Sequence, residues 1–140
     1  MIMLYEDDVI DAVCDHLQRH GFTVIHKSTS KMRGDDIIAR GPGSTRDLHI
    51  EAKGETSKLE GSSRYGKRFD NAQVLDHVAN AFYRAAKMAT NGRIGGIALP
   101  ATSAHKKRVA DIEHALDRLD IIVFLVAGDR TVSTSRPLTP

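Results

Sequence analysis

Apolar and polar positions alternate along this chain in two periods. Over residues 4–20 the period is helical: Glu6, Ile10, Val13, Cys14 and Leu17 fall on one stripe, and Gly21 stands just past the end as a stop. Residues 22–27, Phe-Thr-Val-Ile-His-Lys, read as a strand followed by a polar loop. Residues 35–40 and 47–53 read as two more strands. The turn-forming run Gly41-Pro42-Gly43-Ser44 between them makes the pair a hairpin. An irregular stretch from Gly54 to Lys67 follows, and a stretch of that length in a small domain commonly carries function. Residues 69–90 predict a long helix with Val74, Leu75, Val78, Ala81, Phe82, Ala85 and Ala86 as its core stripe. Gln73, His77, Asn80 and Arg84 form a polar stripe on the same helix. Residues 94–99 predict a buried strand closed by Pro100. Residues 103–119 predict a helix with Val109, Ile112, Ala115, Leu116 and Leu119 inward. The apolar run 121–127 predicts a strand covered on both faces.

This order is helix, three strands, helix, strand, helix, strand. The opening meander is expected to be antiparallel, and the strands that follow helical crossovers parallel to a neighbour. The fold class is therefore α/β: one mixed sheet with helices on both faces. Residues 1–130 are expected to form a single domain, with the Ser/Thr/Pro-rich residues 131–140 a flexible C-terminal tail. A chain of 140 residues, 41% apolar and 27% charged, can bury a core without staples. A single cysteine, Cys14, excludes an internal disulfide and a Cys-based zinc site. Neither a signal-like segment nor a run long enough to span a membrane is evident, so a cytoplasmic location is expected.

A net charge of +2 excludes a basic nucleic-acid coat, but the charges are segregated. The first helix is acidic, with Glu6, Asp7, Asp8, Asp11 and Asp15. Lys53, Lys58, Arg64, Lys67 and Arg68 make the segment 53–68 basic against Glu55 and Glu60, and Lys106, Lys107 and Arg108 form a second cluster. Arg64, Lys67 and Arg68 are candidate phosphate contacts, with His77 a further candidate one helix on.

The most chemical segment is Ile50-Glu51-Ala52-Lys53-Gly54. On a strand, Glu51 and Lys53 project from one face and Leu48, Ile50 and Ala52 from the other. With Asp36 on the neighbouring strand, two carboxylates and one ammonium converge, a set suited to holding a divalent cation and a phosphate together. Alternation puts Asp36 with Ile38 on one face and Asp35 with Ile37 and Ala39 on the other. The competing reading is a solvated Glu51–Lys53 salt bridge, which would contribute only roughly 0–1 kcal/mol.

The segment Gly34-Asp35-Asp36-Ile37-Ile38-Ala39 followed by Glu51-Ala52-Lys53, in this order of elements, resembles the PD-(D/E)xK nuclease superfamily. It looks especially like Mrr-type restriction endonucleases and Holliday-junction resolvases. The resemblance covers roughly the first ninety residues and departs from the pattern at Asp35, where proline is usual. It implies a restriction-endonuclease-like three-layer α/β/α sandwich with a central mixed β-sheet. It also implies a metal-dependent deoxyribonuclease acting in restriction, repair, recombination or mobile-element biology. Magnesium or manganese would be held by Asp36, Glu51 and the backbone carbonyl of Ala52. Glu6 matches a family glutamate near the start of the first helix and would reach the metal directly or through water. Lys53 would orient the attacking water and stabilise developing charge, and Gln73 matches a family glutamine on the following helix. Cutting both strands of a duplex implies a homodimer, which the strand at 121–127 would join if it lay at the sheet edge. The alternative is a module of the same fold that binds nucleic acid or a partner without cutting.

Overall fold

The structure is a computed structural model that describes residues 3–28, 35–56 and 68–138. Its elements follow in the order α1 (Glu6–Arg19), β1 (Thr23–Lys27), β2 (Ile37–Arg40), β3 (Leu48–Ala52), α2 (Asn71–Thr90), β4 (Ile94–Pro100), α3 (Ser103–Asp111), α4 (Glu113–Arg118), β5 (Ile122–Val126) and β6 (Val132–Thr134). The strands form one sheet in sequence order. Pairs β1–β2, β2–β3 and β5–β6 are antiparallel, whereas β3–β4 and β4–β5 are parallel. The parallel pairs are those joined through helices, because a short turn cannot return the chain to the same end of the sheet.

Two apolar clusters sit on opposite faces of this sheet. Ile10, Val13 and Leu17 of α1 pack on Ile37, Leu48, Ile50, Ala98 and Phe124. Val74, Val78, Ala81 and Ala85 of α2 pack on Ile97, Leu99 and Val123, with Leu116 of α4 completing that side. Ile97 and Ala98 are adjacent in β4 yet belong to different clusters, which is the period-two alternation of a strand covered on both faces. The α2 layer lies close on β4: a Cβ on Gly95 would stand 2.4 Å from the carbonyl oxygen of Ala85.

The second half departs from the sequence-based expectation in several places, and Leu75, Ala115 and Leu119, expected inward, are exposed. The helix expected over 103–119 is broken at Ile112, whose N–H bonds the Val109 carbonyl at 3.1 Å. This tighter turn redirects the chain and lets Leu116 enter the core. Residues 132–134, expected to lie in a flexible tail, form β6 instead. The Ser135 side chain accepts the Val123 N–H at 2.9 Å, Arg136 pairs with Asp117 and Asp120, and Leu138 packs on the core. Consequently β5 is an interior strand and the sheet edges are β1 and β6, so β5 cannot pair with a second copy. No helix among the described residues is long and apolar enough to cross a membrane.

Candidate active site

The β2–β3 register pairs Ile37 with Ile50 and Ile38 with His49, so the next pair outward is Asp36 and Glu51. Those two carboxylates therefore leave the sheet on one face. Both are enclosed, Asp36 at 7% and Glu51 at 9% exposure. Asp36 is fixed by its surroundings: its Oδ2 accepts the Ala52 N–H at 2.7 Å, and its own carbonyl accepts the Ser28 N–H at 2.8 Å. Of the two adjacent aspartates, Asp35 turns elsewhere, its Oδ2 lying 2.7 Å from Nδ1 of the buried His49.

Two cations bracket Glu51. Lys53 Nζ lies 3.4 Å from Oε1, and Arg84 Nε lies 3.7 Å from Oε2. Glu6, the first residue of α1, brings a third carboxylate into the same field. Its approach depends on Gly54, because a Cβ there would stand 2.5 Å from the Glu6 backbone nitrogen and 2.8 Å from the Tyr5 carbonyl carbon. Only a residue without a side chain allows α1 to begin against the end of β3.

Negative charge is costly at this point. Burial pushes the Glu6 carboxyl up to about 7, with Asp36 and Glu51 adding to the rise and Lys53 opposing it. Asp36 is raised by burial, against the pull of the Ala52 N–H, Lys53 and Arg84. Glu51 is raised by burial and by the charge of Asp36, with Lys53 and Arg84 again opposing. Like charges forced together out of water are relieved by protonation or by a cation.

The donor set suits a hard divalent cation. Its donors are carboxylate oxygens, the choice of magnesium or manganese rather than of softer metals. Among the described residues no group of three or more His, Cys, Asp or Glu side chains is gathered around one metal-sized point. Asp36 and Glu51 offer two carboxylates, and magnesium is commonly held by one or two with water completing its shell. The residues present therefore fit such an ion, and the Ala52 carbonyl is the backbone oxygen between Glu51 and Lys53.

The remaining predicted residues divide. Gln73 acts locally as a cap: paired with Asp70 at the start of α2, its Oε1 accepts the Asp70 N–H and its own N–H reaches Asp70 Oδ1, each at 2.9 Å. His77 is half-buried, with its ring edge on Phe69 at a centroid distance of 4.6 Å. Burial and the neighbouring Lys53 lower its pKa. Arg68 Nε lies 3.5 Å from Glu55 Oε2. Arg64 and Lys67 lie outside the described residues.

Sequence reasoning missed the roles of three residues. Glu55, counted only against the basic segment, is buried and accepts the Leu4 N–H at 2.7 Å, while its own N–H reaches the Leu4 carbonyl at 2.9 Å. It ties the exit of β3 to the entry of α1. His49 shares a face of β3 with Glu51, a signal available in the sequence, but its pairing with Asp35 was not. Arg84 was visible on the polar stripe of α2, without its link to Glu51.

No protein-family model, curated protein or solved structure matches the chain.

Proposed function

We propose that this chain is a metal-dependent deoxyribonuclease of the PD-(D/E)xK type, built on a restriction-endonuclease-like three-layer sandwich. The observation that carries the reading is the burial of Asp36 and Glu51 side by side on adjacent strands, with Lys53 against Glu51. Stability does not account for this arrangement, since a buried ion pair seldom offsets the loss of its hydration.

Asp36, Glu51 and the Ala52 carbonyl would hold magnesium or manganese, which when bound lowers the pKa of water and offsets phosphate charge. Asp36 is pre-positioned by the Ala52 N–H, which holds its Oδ2. Lys53 orients the attacking water and stabilises the negative charge that develops on the phosphate oxygens. Glu6, whose carboxyl burial raises to about 7, would reach the metal directly or through water. Arg68 supplies positive charge where the chain enters α2. Acting on both strands of a duplex requires two copies of this site, and hence a homodimer.

The test is incubation of the pure protein with circular duplex, linear duplex, single-stranded and four-way-junction DNA in magnesium or manganese, with Glu51→Ala in parallel. Cleavage that requires the metal and falls by at least about 10²-fold in the variant is expected. Folded protein that leaves every substrate intact would replace the enzyme with the non-cleaving module.

A further inference from the structure

The two cations beside Glu51 are not equivalent. Lys53 rises from the same strand, and its side chain is only 20% exposed. Arg84 reaches in from α2, and its side chain is 52% exposed. Its Nε stands 3.7 Å from Glu51 Oε2, outside hydrogen-bonding distance, and that enclosed oxygen has no hydrogen-bond partner among the described residues. Arg84 therefore neutralises Glu51 at short range without being locked to it.

A divalent cation drawn to Asp36 and Glu51 would face both organic cations within a few ångströms. Repulsion of that kind is strong where water is scarce. The repulsion is relieved if one of them withdraws. Lys53 is anchored at the strand end, whereas Arg84 has a long stem with one side open to solvent. A guanidinium released there keeps its full charge and a planar fork of donors that matches phosphate oxygens.

We propose that Arg84 is a phosphate-binding residue that takes the cation's place while no metal is bound. It neutralises Glu51 in the metal-free protein, is displaced when the divalent ion binds, and then grips a backbone phosphate of the nucleic acid. This rests on the metal-dependent nuclease reading and adds a residue and a sequence of events to it. It also predicts effects of opposite sign, which a plain salt bridge does not: removing Arg84 improves metal binding and weakens nucleic-acid binding.

Calorimetric titration of manganese into wild type, Arg84→Ala, Arg84→Lys and Glu51→Ala measures the first effect. Anisotropy of a fluorescent duplex oligonucleotide, in calcium and over a range of salt, measures the second. Arg84→Ala should bind manganese about 3- to 10-fold more tightly, because a competing cation is gone. It should bind the duplex about 10-fold more weakly, with a salt slope reduced by about 1. Arg84→Lys, which keeps the charge but not the fork, should bind manganese as wild type does and the duplex more weakly. Manganese affinity that is unchanged or reduced in Arg84→Ala, or unaltered duplex affinity, would overturn the proposal while Glu51-dependent metal binding in wild type left the nuclease reading standing. Identical manganese binding by wild type and Glu51→Ala would remove both.

Discussion

The two faces of β3 make an instructive pair. Leu48, Ile50 and Ala52 point towards α1, and His49 and Glu51 point the other way, yet all five are buried. On an ordinary amphipathic strand, alternation separates core from water. Here it separates an apolar core from a cluster of buried charge. The α1 face follows the hydrophobic rule throughout. The opposite face follows it under α2 at Ile97 and Val123, then abandons it where Glu51 meets Asp36, Lys53 and Arg84. The first face should resist change because it stabilises the fold, and the second should resist change although it does not.

The largest expected effect lies on the apolar face. Ile50→Ala removes a fully enclosed side chain, and urea denaturation should show a loss of about 2–5 kcal/mol. Metal affinity per folded molecule should stay near that of wild type. A loss of metal affinity beyond the unfolded fraction would show that the two faces are coupled and blur the contrast.

A smaller effect is expected where the faces meet. Gly54→Ala forces a methyl group to within 2.5 Å of the Glu6 backbone nitrogen, so the start of α1 must shift. Overpacking of this kind costs about 1–3 kcal/mol. Because the shift carries Glu6 away from Asp36 and Glu51, cleavage should fall further than thermal melting accounts for. A Gly54→Ala protein with wild-type melting and activity would mean that the close approach of α1 to β3 does not matter to the site.

Much of this was legible in the sequence because it depends on local spacing. Ile10, Val13 and Leu17 announced α1 by their period, and Gly41-Pro42-Gly43-Ser44 announced the hairpin that puts Asp36 opposite Glu51. Glu6 stood out as an acid on an apolar stripe, and it does reach the field of the other two carboxylates. What stayed hidden depends on contacts between distant segments. Glu55 looks like any loop acid until Leu4 is brought to it. Arg84 cannot be linked to Glu51 until α2 is laid antiparallel to β3. Asp35 precedes β2 and reaches His49, on the face that Glu51 occupies, where the alternation of Ile37 and Ala39 would not place it. The polar run at 132–134 resembles a tail, and only its pairing with β5 and the contacts of Ser135 and Arg136 make it a strand.

The central claim is that the carboxylates beside Lys53 are kept for a cation rather than for stability. The most direct test is the melting temperature of wild type and Glu51→Gln at pH 8, above the value of about 7 to which Glu6 is raised, in EDTA and in manganese. Carboxyls raised by burial contribute stability that is present at low pH and lost as they ionise, so at pH 8 the charge on Glu6 adds to the repulsion in the wild-type cluster. The account predicts that in EDTA Glu51→Gln melts at or above wild type, that manganese raises wild type by several degrees through binding to the folded state, and that it leaves the variant nearly unmoved. A Glu51→Gln protein that melts well below wild type in EDTA, with wild type indifferent to manganese, would make Glu51 a structural ion-pair residue and contradict the account.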